Sequence, residues 1–116
     1  MQPLAGVKVV EFANNIAGPY AGYILAMLGA DVLKIERPES GDDARGWGPP
    51  FWRGTSATFQ ALNVNKHGIT LDLKDPEHIA WVQDYLNTCD VLVHNLRPGV
   101  MHGLGLGSER LRAANP

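Results

Sequence analysis

The 116-residue chain has a formal net charge of −2, with 45% hydrophobic and 19% charged residues. One domain of this length can bury roughly two thirds of the surface that its unfolded chain exposes, and the composition is unlike that of disordered chains, which are polar and highly charged. The slight negative charge excludes the global positive field that would draw the chain to nucleic acid or an anionic membrane. Cys89 is the single cysteine, which excludes an internal disulfide. Without a long apolar segment, we expect a folded cytoplasmic protein of one domain.

The first 36 residues predict a strand, a turn, a helix and a second strand. Residues 7–12 form an apolar run with β-branched side chains, and Pro19 suits the first position of a helix. Residues 20–28 are apolar or small on nearly every side, as in a helix covered on most faces, and Gly29 provides a left-handed stop. Residues 32–35 read as a second buried strand. Two strands joined by a helix form a βαβ unit, which is almost always parallel and right-handed, so the fold class is α/β.

A long loop and a short helix follow this unit. Residues 38–52 are dense in Gly, Pro and Asp without helical or alternating periodicity, which predicts an exposed loop. Within it, Asp42 and Asp43 are interpreted as solvated. Ser56 is a suitable N-cap for a short helix that ends at Leu62.

The remaining sequence repeats the alternation of strand and helix. Residues 69–73, ITLDL, alternate like a strand, and Asp75 followed by proline opens another helix. Residues 91–93 predict one more buried strand, and Ser108 can cap a last helix. Another strand would be expected to follow, so we expect residues 1–116 to be one domain cut at its C-terminal end.

The predicted topology also locates a ligand site. Parallel α/β sheets bind ligands beyond the carboxyl ends of their strands, where Arg37, Lys74 and Arg97 follow predicted strands. Arginine and lysine together suit a ligand with separated phosphates. The alternative interpretation is three solvated surface cations.

A nicotinamide or flavin dinucleotide is an alternative ligand, because Glu36 ends the second predicted strand near the spacing of a ribose-binding acid. The glycines do not support it. The segment AGPYAG offers only Gly18 and Gly22, with Pro19 between them, instead of G-x-G-x-x-G. The four histidines show no close metal-ligand spacing, so no metal is predicted.

Four segments, PLAGVKVVEF, AGPYAGYILAMLGADVLKIERPESGDDARGW, NVNKHGITLDLKDPE and DVLVHNLRPGVMHGLGLG, together resemble the N-terminal part of the class III CoA-transferase family. That family includes formyl-CoA and carnitine CoA-transferases and the related α-methylacyl-CoA racemases. The resemblance covers residues 4–116. It implies a Rossmann-like parallel sheet flanked by helices, as the N-terminal fragment of a larger two-domain fold.

The resemblance implies that the nucleotide is coenzyme A, bound as a substrate. Its implied contacts are Asn14, Asn15, Ile16, Arg37, Leu71, Asp72, Leu73, Lys74, Asn95, Leu96 and Arg97. It further implies acyl-CoA and carboxylic acid substrates, an interlocked homodimer of the full-length protein, and neither nucleic acid nor membrane as a partner. The family's catalytic aspartate, which forms a mixed anhydride with acyl groups and a thioester with CoA, is expected beyond Pro116, so this chain alone is expected to be inactive.

Two departures bear on the substrate. Oxalate-specific formyl-CoA transferases carry glutamine where Ile16 stands and arginine at the position matching Gly103, so the resemblance does not predict oxalate. Transferase and racemase activities both stay open. A stand-alone CoA-binding or scaffold module without catalysis is the alternative from another class of function, and a fragment of an NAD-dependent enzyme is a further one.

Overall fold

The computed structural model describes residues 2–116 as a parallel sheet with helices on both faces. In chain order the elements are β1 (Lys8–Phe12), α1 (Ala17–Met27), β2 (Asp31–Glu36), a 3₁₀ helix (Asp43–Gly46), β3 (Phe51–Trp52), β4 (Thr55–Ser56), α2 (Ala57–Leu62), β5 (His67–Thr70), α3 (Pro76–Leu86), β6 (Val91–His94), α4 (Val100–Gly103) and α5 (Ser108–Ala114). The four-stranded sheet has the order β5-β2-β1-β6, and each of its neighbouring pairs is parallel. The predicted α/β class is confirmed. β3 and β4 form a separate antiparallel ribbon.

The two faces of the sheet have separate hydrophobic cores. Side chains alternate along a strand, so neighbouring residues of β1 point to opposite faces. Val10 clusters with Val82 and Leu86 of α3, whereas Val9 clusters with Ala26 of α1. The sheet is therefore covered by α1 on one face and by α3 on the other, as expected for parallel strands.

The prediction that α1 is covered on most faces is wrong. Its buried residues are small and include Gly18, Gly22 and Ala26, whereas Tyr20 and Met27 are both more than half exposed. Small residues let the helix backbone come close to the sheet, and this turns the larger side chains outward. Composition alone could not distinguish such a helix from a fully enclosed one.

The loop at residues 38–52, predicted to be exposed, is partly buried. It contains the 3₁₀ helix, and both Asp42 and Ala44 are buried, so the prediction of a solvated Asp42 is wrong. Asp43 is exposed, as predicted. The Ser56 hydroxyl donates to the Ala44 carbonyl and accepts the Phe59 amide at 3.0 Å, which confirms Ser56 as the N-cap of α2.

Three predicted boundaries move by a few residues. α1 begins at Ala17, so Pro19 is its third residue and not its first. β5 is His67–Thr70, so it begins before the predicted strand at residues 69–73 and ends before Leu71. α5 has Gly107 as its N-cap, and Ser108 is already the first helical residue.

Gly22 provides a test of the close approach between α1 and the sheet. A methyl group on Gly22 would overlap Oε1 of Glu11 and lie 3.2 Å from Nζ of Lys66. Although alanine favours helices, we expect Gly22→Ala to lower the free energy of unfolding by about 1–3 kcal/mol, the usual cost of overpacking. Urea unfolding followed by circular dichroism measures this change.

Gly103→Ala is the matched control, because Gly103 is also helical and nothing lies within 4 Å of the added carbon. We expect this variant to be neutral or slightly more stable. Equal stability of the two variants would contradict the packing described for α1.

Candidate functional site

All four strands of the sheet run in the same direction, so their carboxyl ends meet at one edge. These ends are Phe12, Glu36, Thr70 and His94. The segments that follow them lie side by side in the order of the strands. The predicted site residues follow these four ends, so the structure brings the predicted segments to a common edge.

The turn after β1 is joined to the segment after β6 by a reciprocal pair of hydrogen bonds. The Asn14 amide donates to Oδ1 of Asn95 at 2.9 Å, and Nδ2 of Asn95 donates to the Asn14 carbonyl at 2.7 Å. Two predicted contact residues thus hold each other. The Asn95 side chain is therefore used to fix the turn.

Asn15 has a left-handed backbone with φ 71°, a conformation that asparagine tolerates better than most residues. Ile16 follows it and is 53% exposed, so its apolar side chain faces the solvent beside the turn. A methyl group on Gly18 would overlap Cβ of Ala13 and lie 3.1 Å from Cγ of Asn95. Gly18 thus allows the helix to approach its own strand, which is a packing role and not evidence of a dinucleotide site.

Arg37 follows β2 and is half exposed. Its Nε donates to Oγ of Ser40 at 2.7 Å, and its guanidinium pairs with the Asp43 carboxylate. A polar cavity of about 200 Å³ lies here, lined by Arg37, Ser40 and Thr70 among others. Both partners of the ion pair are more than half exposed, and a surface pair of this kind contributes little to stability.

The segment 71–74 follows β5 and presents few free side chains. The Leu71 amide donates to the Glu36 carbonyl at 3.0 Å, and the side chains of Leu71 and Leu73 pack against the core. Oδ1 of Asp72 accepts the Lys74 amide at 3.0 Å. Lys74 is exposed, so this segment offers its ammonium group and backbone atoms to a ligand.

The segment after β6 also contains a leucine that packs against the core and an exposed cation. Leu96 packs against the core, whereas Arg97 is exposed. Arg97 lines a cavity of about 480 Å³ that runs along β6, together with His94 and His102. The role of the eleven predicted contact residues in CoA binding stays a prediction. Among them, Arg37, Lys74 and Arg97 are exposed, whereas the three leucines pack against the core.

Beneath this edge, the α1 face of the sheet encloses a cluster of charged side chains that sequence reasoning missed. Glu11 of β1 and Lys34 of β2 are paired in the strand register, with Nζ of Lys34 2.7 Å from Oε2 of Glu11. Nζ of Lys34 also lies 3.0 Å from Oδ2 of Asp42, and Nζ of Lys66 lies 2.7 Å from Oε1 of Glu11. None of the four side chains is more than 2% exposed. Two carboxylates and two ammonium groups balance, and we call them the buried charge cluster.

A signal for this cluster was present in the sequence. Glu11 and Lys34 each interrupt a run of residues that otherwise reads as a buried strand. Buried charges need partners, so two opposite charges in neighbouring strands predict an ion pair. Asp42 and Lys66 could not be found in this way, because only the fold brings them to the same place.

A second pair adjoins the buried charge cluster. Arg45 donates to both carboxylate oxygens of Glu36, each at 2.8 Å, and the Asp42 amide donates to Oε2 of Glu36 at 2.8 Å. Burial opposes ionisation of Glu36, but the bonds from Arg45 and from the Asp42 amide outweigh it and lower the pKa of Glu36. Burial likewise opposes ionisation of Asp42, and the Asn15 amide and Lys34 lower its pKa. Both carboxylates are therefore held in the charged form.

Other reactive groups show no comparable arrangement. Burial raises the pKa of the Cys89 thiol, which belongs to the hydrophobic core. Among residues 2–116, no group of three His, Cys, Asp or Glu side chains could hold a metal ion. No helix in the part of the chain that the structure describes is long and apolar enough to span a bilayer.

Comparison with known proteins defines the class of protein to which this site belongs. Residues 4–116 match the family described as CoA-transferase family III. The chain therefore belongs to the class III CoA-transferase family.

Individual relatives agree with this assignment. The succinate–glutarate CoA-transferase of Agrobacterium fabrum is 44% identical over 120 residues, which cover 98% of this chain and 30% of that protein. A formyl-CoA:oxalate CoA-transferase of Rhodopseudomonas palustris is 42% identical over 97% of this chain and 27% of its own length. The crystal structure of a CAIB/BAIF family protein from Brucella suis superposes with a TM-score of 0.92 at 44% identity, over 99% of this chain and 31% of that one. The chain thus spans about 30% of the length of such relatives.

The lowered pKa values predict how stability depends on pH. The unfolded chain binds protons at Glu36 and Asp42 at a higher pH than the folded chain does. The stabilisation is therefore present above the ordinary carboxyl pKa and is lost as the pH falls through the lower, folded value. We expect the urea concentration at the midpoint of unfolding to decrease as the pH is lowered from about 5 to about 3. Asp42→Asn should make this decrease smaller.

Asp84→Asn is the control for this titration, because Asp84 is exposed on α3. We expect it to keep the parent's pH profile. An Asp42→Asn variant with the same acid dependence as the parent would contradict the contribution assigned to Asp42.

Proposed function

We propose that this chain holds coenzyme A in an enzyme that transfers CoA between carboxylic acids. The observation that carries the proposal is that Arg37, Lys74 and Arg97 are each exposed just after the carboxyl end of a parallel strand, in a member of the CoA-transferase family. Arginine grips phosphate oxygens with two hydrogen bonds, and lysine acts as a compact charge. Together they suit the separated phosphates of CoA.

Local contacts support a phosphate near Arg37. Its present partner, Asp43, is an exposed carboxylate, and water weakens such a pair. A phosphate group can replace this partner and form charge-assisted bonds to the same guanidinium. The Ser40 hydroxyl already bonds to Nε of Arg37 and keeps the side chain at the cavity beside β2.

We further propose that the acyl groups are small carboxylic acids. The names of two relatives specify succinate and glutarate, and formyl-CoA and oxalate, respectively. Ile16 lies exposed beside the turn and has no side-chain group that can hydrogen-bond. A polar acyl group must therefore find its hydrogen bonds elsewhere, which favours an acceptor other than oxalate.

Most acidic residues near the edge are held by partners and are not free to attack a thioester, whereas Glu39 is exposed at the cavity beside β2. Glu11 and Asp42 are enclosed with two lysines, Glu36 is bonded to Arg45, and Asp43 is paired with Arg37. In the proposed reaction a carboxylate attacks the thioester carbonyl, and the CoA thiolate leaves with the bonding electron pair to give a mixed anhydride. We propose that this carboxylate comes from outside these 116 residues.

The phosphate contacts can be tested by calorimetry with CoA. We expect Arg37→Ala and Arg97→Ala each to weaken CoA binding by about 1.5–3 kcal/mol, the range for hydrogen bonds to charged groups. Higher salt should reduce these differences, because exposed charges are screened.

Lys8→Ala is the control for the loss of one positive charge. Lys8 is exposed at the amino end of β1, at the opposite edge of the sheet. It should bind CoA like the parent chain. If both arginine variants also bound like the parent, the proposed position of the phosphates would be wrong.

The proposal also predicts that the 116-residue chain has no transferase turnover of its own. The chain is incubated with succinyl-CoA and glutarate, and mass spectrometry follows glutaryl-CoA and any covalent adduct of the protein. We expect no exchange above a blank without protein, because Asp42, Asp43 and Asp72 are engaged in ion pairs or turns and the attacking carboxylate is proposed to lie outside this chain. Exchange that is abolished by Glu39→Gln, Asp43→Asn or Asp72→Asn would place the nucleophile within this chain.

A further inference from the structure

We infer that Asp42, Lys34 and Lys66 are positioning residues for CoA binding, because they hold the backbone of the turn between β1 and α1 in one conformation. The inference rests on the proposed CoA site at that turn. It assigns the buried charge cluster a role in ligand affinity in addition to its part in the fold.

Three hydrogen bonds connect the cluster to the turn and to the start of α1. Nζ of Lys34 donates to the Ala13 carbonyl at 2.8 Å. Oδ1 of Asp42 accepts the Asn15 amide at 3.0 Å. Nζ of Lys66 donates to the Pro19 carbonyl at 2.8 Å.

The first two bonds hold the start and the middle of the turn, and the third holds the first turn of α1, where Pro19 lies. Each of the three side chains also bonds or pairs with another member of the cluster, so its position is fixed from both sides. A bond to a buried ion is shorter and stronger than one between neutral groups. The left-handed Asn15 needs such a constraint, since a non-glycine residue rarely adopts φ 71° unaided.

The turn leads into a helix end that is open to a ligand. Ile16 is the N-cap of α1, and among the described residues no side-chain cap bond is made there and the first turn has no acidic residue. The amides of Ala17 and Gly18 lack partners within the helix and carry a partial positive charge, whereas Pro19 has no N–H and the Tyr20 amide donates to the Ile16 carbonyl. A fixed turn therefore presents these amides in one direction, toward the same edge as Arg37.

Asp42 also connects two of the segments at this edge. Its Oδ1 accepts the Ala44 amide at 2.9 Å as well as the Asn15 amide. Its own amide donates to Glu36, which lies directly before Arg37. The carboxylate thus fixes the turn after β1 relative to the loop that carries Arg37, and both belong to the proposed CoA site.

Stability alone is a poor explanation for such a cluster. A buried ion pair often contributes no more to stability than well-packed apolar residues of the same volume. Its geometry is directional, whereas apolar contacts are not. Positioning and a purely structural role nevertheless make different predictions, and they can be separated by experiment.

The test compares Asp42→Asn with two controls in calorimetric titrations with CoA. Asparagine keeps the shape of the side chain, but if its oxygen still accepts the Asn15 amide, its nitrogen faces the Lys34 ammonium. We expect CoA to bind about tenfold or more weakly. Amide hydrogen exchange at Asn15 should become faster in the same variant, because its acceptor is weakened.

The controls separate charge and stability from positioning. Asp84→Asn removes an exposed carboxylate on α3 and should leave CoA affinity unchanged. Val82→Ala removes buried volume on the opposite face of the sheet from the cluster. It should lower stability by about 1 kcal/mol or more, yet bind CoA with the affinity of the parent and leave local exchange at Asn15 unchanged.

Lys66→Met is the second variant, used whether or not Asp42→Asn folds. Methionine matches the four-atom stem of lysine but lacks the ammonium group, and the pair of Glu11 and Lys34 stays in place. We expect about fivefold weaker CoA binding. The positioning role is overturned if either variant, when folded, binds CoA like the parent, or if Val82→Ala weakens binding to the same extent. A parent chain that does not bind CoA would overturn the proposed function itself, and the inference with it.

Discussion

The ion pair between Glu11 and Lys34 is the interaction on which the rest of this structure depends. It lies in the strand register between β1 and β2, in the interior of the α1 face. Two opposite charges in such a place require every remaining polar atom to find a partner, and the partners come from distant segments. Asp42 folds in from the loop and Lys66 from the residues before β5. α1 meets the same pair through Gly22, where a side chain would overlap Glu11.

This arrangement divides the molecule into two electrostatic layers. The buried charge cluster is balanced, so it places no net charge beneath the site. Three exposed residues at the edge, Arg37, Lys74 and Arg97, are positive, and Asp43 pairs with the first of them. An anionic ligand therefore meets cations at the surface, while the buried charge cluster bonds to the backbone beneath them. Membership of the CoA-transferase family makes coenzyme A the natural candidate for that ligand.

Local patterns were sufficient for the outline of the fold. β-Branched apolar runs predicted β1, β2 and β6, and Ser56 and Asp75 marked the starts of α2 and α3. These features depend on neighbouring residues in the chain, so a sequence can be read for them directly. The loop at residues 38–52 was misread because its order depends on distant partners. Its glycines and prolines suggested exposure, whereas Lys34 and Glu36 bind Asp42 and Arg45 within it.

Periodicity and the order of motifs along the chain were enough to predict the α/β class, the family and the segments that follow each strand. Only packing in the folded chain shows which members of those segments are exposed. Leu71, Leu73 and Leu96 pack into the core, whereas Arg37 and Arg97 stay exposed. Folding also buries Asp42, a charged residue of the glycine-rich loop, where its carboxylate accepts an amide of the turn after β1. No local pattern contains that information, since a buried charge is stable only beside partners that folding brings from elsewhere in the chain.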